Sequence, residues 1–131
     1  MKFLIILLIL FSTTSLAFAD TGYVSAQISS DVNTLTVGNQ IMITADISNN
    51  QNTQQSFAYL TQVKDEHQAV ISLSWLTGSL SPRQSFSPAQ SWIPTESGLY
   101  VIEIFVWESI DNPEALSPPL SMTVTVVDPN T

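Results

Sequence analysis

Apolar and polar side chains alternate with a period of two along most of the chain after Asp20, and no segment holds a helical period. Val24, Ala26 and Ile28 alternate with Ser25, Gln27 and Ser29. Leu35 and Val37 form a shorter piece before Gly38-Asn39. Ile41, Ile43, Ala45 and Ile47 alternate with Thr44, Asp46 and Ser48. The polar run Asn49 to Gln54 predicts a turn, and Phe57, Tyr59, Thr61 and Val63 a further strand. Asp65-Glu66-His67-Gln68 reads as a hairpin turn into Ile71, Leu73 and Trp75, which Thr77-Gly78 is expected to close. Pro88 interrupts Phe86 to Trp92, so that strand is expected at an edge or with a bulge. After the turn at Pro94 to Gly98, the longest strand carries Tyr100, Ile102, Ile104 and Val106. A loop from Asp111 to Pro119 leads to Leu120, Met122, Val124 and Val126.

Short strands separated by turn signals every ~8–12 residues predict an all-β, two-sheet antiparallel β-sandwich of seven to nine strands. A purely parallel sheet would need crossover helices, which the pattern lacks.

The first residues break this pattern. Lys2, the apolar run Phe3 to Phe11 and the small-x-small triplet Ala17-Phe18-Ala19 have the three-part layout of a signal peptide. The run is shorter than the ~20 apolar residues of a stable membrane anchor. Residues 1–19 are therefore expected to form a signal-peptide helix that is removed, and residues 20–131 the sandwich domain; retention as an anchor is the alternative. No cysteine is available for a lipid anchor, and Val126 to Thr131 contains no hydrophobic tail. The mature chain is expected to be secreted or associated with the cell envelope, without membrane contact of its own.

Charge narrows the partners. The formal net charge is −8, and losing Lys2 with the leader deepens it to −9. Nucleic-acid binding needs basic clusters, and only Lys64 and Arg83 remain, so that class is excluded. The absence of cysteine removes disulfides, thiol catalysis and thiolate metal sites.

Glu96-Ser97-Gly98-Leu99-Tyr100 resembles the tyrosine corner of immunoglobulin-like sandwiches. Gly98 permits the tight turn, and the Tyr100 hydroxyl can pin the corner to upstream backbone. Ile102 stands where antibody domains have a cysteine. A longer stretch runs through Leu80-Ser81-Pro82-Arg83-Gln84-Ser85, Ser91-Trp92-Ile93-Pro94 and Gly98-Leu99-Tyr100. It is similar to the bacterial and archaeal adhesion-related CARDB family, with its Leu-x-Pro-Gly-x-Ser, Trp-x-Pro and Gly-x-Tyr motifs. The Asn49-Asn50-Gln51 strand end resembles that family as well. Arg83 departs from it by replacing the preferred glycine, and Phe105 to Glu114 departs from its acidic stretch ending in paired asparagines. The resemblance implies an immunoglobulin-like fold, with Gly98, Tyr100, Ile102, Trp92 and Trp75 as structural positions. The two tryptophans are expected in core or edge packing.

Catalytic candidates are sparse. His67 is the only histidine and falls in a turn, and no nucleophile elbow, phosphate loop or zinc motif occurs. Glu108, Asp111, Asn112 and Glu114 do not have calcium-loop spacing. No metal or cofactor is expected. If Tyr100, Ile102, Ile104 and Val106 face inward, Phe105 and Trp107 lie on the outer face. That stripe, with Glu108, Asp111 and Asn112 beside it, is the expected contact site for an envelope or extracellular protein or polymer. The competing expectation is that the loop from Ser109 to Pro119 folds back over the stripe. The readings weighed are a protein- or surface-binding module, a carbohydrate- or polymer-binding module, and, least supported, a small exported hydrolase.

Overall fold

A computed structural model describes residues 23–30 and 33–129. The signal segment expected over residues 1–19 lies outside the described residues. Nine strands follow in order: β1 (Val24–Ile28), β2 (Thr34–Thr36), β3 (Ile41–Asn49), β4 (Gln55–Lys64), β5 (Val70–Leu80), β6 (Ser85–Phe86), β7 (Ala89–Trp92), β8 (Gly98–Trp107) and β9 (Leu120–Val127).

They form two sheets. In the first, β3 pairs with β1 on one side and successively with β7 and β6 on the other. The second has five strands in the order β2-β9-β8-β4-β5. All pairs are antiparallel except β2 with β9, where Leu35 lies beside Val126 in a parallel register. The two-sheet sandwich is thus antiparallel apart from this one short parallel pair. A three-residue strand closes that edge without a crossover of its own.

The core follows the period of two. Ile43, Ala45 and Ile47 of β3 face Ile102, Ile104 and Val106 of β8, with Tyr59 and Val63 of β4 and Val124 and Val126 of β9 in the same buried cluster. Fully burying each large aliphatic side chain is worth ~1.5–3 kcal/mol, and this chain has no disulfide to supplement it. Pro88 divides the segment before Trp92 into β6 and β7, as its missing N–H requires. It sits at the sheet edge and its carbonyl accepts from Ala45 N at 3.3 Å.

Three local features depart from the sequence reading. β5 does not stop at Thr77-Gly78 but continues to Leu80. Gly78 is paired with Phe57, and a Cβ there would come within 3.3 Å of the Phe57 ring, so glycine lets the strand pass beneath an aromatic side chain. Trp75 is not a core residue: it lies on β5 and is 57% exposed, whereas Trp92 is buried. The 109–119 loop sends Leu116 into the core, where it is 2% exposed.

Candidate functional site

The tyrosine corner forms as its residues dictate. Tyr100 Oη donates to Glu96 O at 2.7 Å. Gly98 has φ +145°, a conformation L side chains rarely adopt. Trp92 of β7 and Tyr100 of β8 pack as an edge-to-face pair. Ile102 is fully buried one step further along β8. Tyr100, Ile102 and Trp92 are buried around this corner, and Gly98 makes its turn.

The Pro82-Arg83 turn gives the motif its physical meaning. Gln84 N donates to Ser81 O at 3.0 Å, and Arg83 at the third turn position has φ 62°. This is the position at which a type II turn asks for glycine. Arg83 is held there by Arg83 N to Gln51 O at 3.1 Å and by its Nε to Asn52 Oδ1 at 3.0 Å. Asn49, 1% exposed, ties this turn to its own: Nδ2 donates to Thr53 O at 2.8 Å and Ser81 O at 3.0 Å, and Oδ1 accepts from Gln51 N at 3.1 Å.

Beside the tyrosine corner lies an open hollow of about 190 Å³ rimmed by Asp65, Glu66, His67 and Glu96. Two of its three carboxylates, those of Asp65 and Glu66, are engaged in structure. Asp65 Oδ1 accepts from His67 N at 2.8 Å and Ala69 N at 3.0 Å, closing the β4–β5 hairpin. The Ala69 N–H, with smaller help from the His67 N–H and the His67 ring, holds the Asp65 carboxyl below its ordinary pKa. Glu66 Oε1 accepts from Leu99 N at 3.1 Å and so fixes the hairpin to the corner. Among the described residues no three carboxylate, histidine or cysteine side chains converge as a metal site.

A different surface stands out on the outer face of the five-stranded sheet. Phe105 and Trp107 point outward and are half-buried, with ring centroids 5.9 Å apart and planes inclined by 44°. Across the strands, Trp75, Leu60 and Phe105 share one rung, and Thr77, Ala58 and Trp107 the next. Leu60 is only 8% exposed despite facing outward, because Trp75 and Phe105 flank it. Leu73 and Ile71 extend the apolar band along β5, exposed by 49% and 46%. A polar network borders it: Gln62 Nε2 donates to Glu103 Oε1 at 2.7 Å, which also pairs with Lys64 Nζ at 3.1 Å.

The β8–β9 loop flanks the band without carrying its apolar anchor there. Ala115 bridges to Trp107 through backbone, and Leu116 N donates to Val106 O at 2.8 Å. Of the residues expected beside the stripe, Glu108 is half-buried while Asp111 and Asn112 are exposed. Asn112 N donates to Ser109 O at 3.2 Å and Ser109 Oγ at 2.9 Å, so this residue builds its own turn. The sequence reading missed Ile71, Leu73 and Trp75 as surface residues. The uncharged run from Ala69 to Leu80 was the available signal.

No family model matches the sequence, and no curated protein matches it. Solved structures match the fold. The CARDB domain of a Pyrococcus furiosus protein, crystallised in complex with di-metal ions, shares 18% identity at a TM-score of 0.60, covering 79% of this chain and 85% of that domain. Its solution structure gives 19% identity and a TM-score of 0.63, covering 80% and 94%. A β-glucosidase from Listeria innocua, in complex with glucose, is similar at 14% identity and a TM-score of 0.60, but the match spans 79% of this chain and only 16% of the enzyme. An alkylpurine DNA glycosylase from Pseudomonas fluorescens matches at 11% identity and a TM-score of 0.59, over 79% of this chain and 30% of the glycosylase. The fold is that of a CARDB-like, immunoglobulin-like sandwich, as the motifs around Pro82, Trp92 and Tyr100 imply. In the two enzymes the likeness is confined to a minor part of the chain.

Proposed function

We propose that this chain is the precursor of an exported immunoglobulin-like module that acts without catalysis, by contact with a protein or surface polymer outside the cytoplasm. One observation carries the reading: an apolar band of Trp75, Leu73, Phe105 and Trp107 lies on the outer face of the larger sheet, bordered by the Gln62–Glu103–Lys64 network. An apolar centre with a polar rim is the make-up of a protein contact surface. Export is supported by the layout of Lys2, Phe3 to Phe11 and Ala17-Phe18-Ala19. Asp65 and Glu66 of the open hollow are engaged in the hairpin and the corner, which favours binding over chemistry.

A carbohydrate-stacking role asks for coplanar, exposed rings. Phe105 and Trp107 are half-buried and inclined by 44°, which favours a protein partner. The test is capture of envelope material on the immobilised protein, with and without prior proteolysis of that material. A protein partner is lost on proteolysis. Capture that survives proteolysis and responds to soluble glycan would replace this reading with the polymer-binding one.

A further inference from the structure

We infer that the outer face of the five-stranded sheet takes a basic polypeptide surface, one that carries an apolar patch between two groups of lysine or arginine about 20 Å apart. The inference rests on the reading of that face as a contact surface, and it names the chemistry of the partner.

Charge is placed unevenly around this face. Within the five strands the only charged side chains are Lys64 and Glu103, and they pair with each other at 3.1 Å. The uncompensated acids lie beyond the strand ends. At one end Asp65, Glu66 and Glu96 rim the open hollow. The backbone N–H groups bonded to Asp65 and Glu66 are neutral donors, so both carboxylates keep their charge. At the other end Glu108, Asp111 and Glu114 lie in the β8–β9 loop. Glu108 N donates to Glu114 O at 3.0 Å, and Ala115 bridges to Trp107, which fixes this loop at the Trp107 end of the apolar band. Arg83 follows β5 at the same end, but its Nε is bonded to Asn52 of the β3–β4 turn. Between the two ends β4 runs from Ala58, opposite Trp107, to Lys64, opposite Val101. At ~3.4 Å per residue that stretch is about 20 Å long.

This distribution selects the occupant. A second copy laid on the face sets acids against acids whichever way it is turned, because both ends carry them. An anionic membrane or an acidic polymer is repelled for the same reason. A neutral apolar partner covers the band but draws the end carboxylates out of water without a counter-charge. A basic surface gains at both places, and the apolar patch between strengthens its charge contacts by excluding water. The ends are further apart than the Debye length of ~8 Å at physiological salt, so each contributes separately.

The test is calorimetric titration of the purified protein with two synthetic amphipathic helices of about 16 residues, ~24 Å long. Both have a leucine face; one carries two lysines at each end, the other two glutamates. The lysine peptide should bind at least roughly tenfold more tightly at low ionic strength, and the difference should collapse near ~1 M salt. Asp111→Asn combined with Glu114→Gln neutralises exposed carboxylates at one end. Glu66→Gln neutralises the other while keeping an oxygen to accept from Leu99 N. Each variant should weaken the lysine peptide at least roughly threefold at low salt only, whereas Trp75→Ser should weaken it at every salt concentration. Equal binding of the two peptides, with Trp75→Ser still weakening both, would overturn the charge selection and leave the contact surface standing. Lysine-peptide binding that Trp75→Ser does not affect would overturn both. No binding of the lysine peptide at millimolar concentration would overturn the inference.

Discussion

Trp92 and Tyr100 meet edge to face between the two sheets, with ring centroids 5.2 Å apart and planes inclined by 67°. In a sandwich without cysteine, this contact and the buried Ile102 occupy the region where antibody domains place a disulfide. Trp92→Ala is expected to cost ~3–5 kcal/mol, the usual range for deleting a large buried aromatic. Tyr100→Phe keeps the ring but loses the bond to Glu96 O, and should cost ~1 kcal/mol. Urea unfolding of Trp92→Ala, Tyr100→Leu and the double variant measures the coupling between the rings, expected at about 0.5–1.5 kcal/mol.

Asn49 joins two turns that are remote in sequence. Asn49→Ala leaves Ser81 O and Gln51 N without their side-chain partner in a buried place. The expected loss is about 2–4 kcal/mol, larger than for a solvent-exposed turn asparagine. Amide hydrogen exchange should rise at Gln51.

Arg83 holds a backbone conformation that favours glycine. Arg83→Gly should remove that strain and stabilise the chain by about 0.5–1 kcal/mol, although it loses the bond to Asn52. Urea unfolding of the parent and the variant reads the difference, and an Arg83→Gly variant less stable than the parent would contradict it.

Tyr59 is fully buried on β4, and neither its hydroxyl nor that of nearby Thr61 makes a hydrogen bond of ordinary geometry. Burial raises the Tyr59 phenol pKa above its ordinary value of 10.0, with the Thr61 hydroxyl acting weakly the other way. Tyr100 is raised in the same direction, first by burial and then by the nearby carboxylates, Glu96 before Asp65 and Glu66. A raised folded-state pKa gives stability that is complete below the unfolded value and is lost as pH climbs through the folded one. Stability should thus fall above pH 10, with the tyrosinate absorbance of these two residues appearing only as the chain unfolds. Tyr59→Phe should be neutral or stabilising by up to ~1 kcal/mol near neutral pH, and should soften the alkaline decline. Early ionisation of Tyr59 in the folded protein would contradict this.

Much of the fold was legible in the alternation, and the exceptions have physical causes. β3, β8 and β9 each bury the set of residues that their period of two picks out. β5 shows equally clean alternation, yet Ile71, Leu73 and Trp75 face outward. A period of two separates two faces of a strand without saying which is covered, and that depends on remote neighbours. At the sheet edge the inward positions are the small Ser72 and Ser74, and the large residues lie over the outer face. Leu116 was hidden for a different reason: a single apolar residue among Ser and Pro has no period at all. The tyrosine corner was readable because its geometry is local, running from Glu96 to Tyr100. Phe105 and Trp107 were placed on the correct face by counting along β8, but the other half of their band comes from β5, two strands away.

The central claim is that the outer apolar band is a contact surface and not merely packing. Capture from the cell envelope by the parent protein, compared with Trp75→Ser and Trp107→Ser, tests it most directly. Both variants should fold, with Trp75→Ser melting within ~0.5 kcal/mol-equivalent of the parent because that ring is largely exposed, and both should bind at least roughly tenfold more weakly. Undiminished capture by both folded variants would contradict the account.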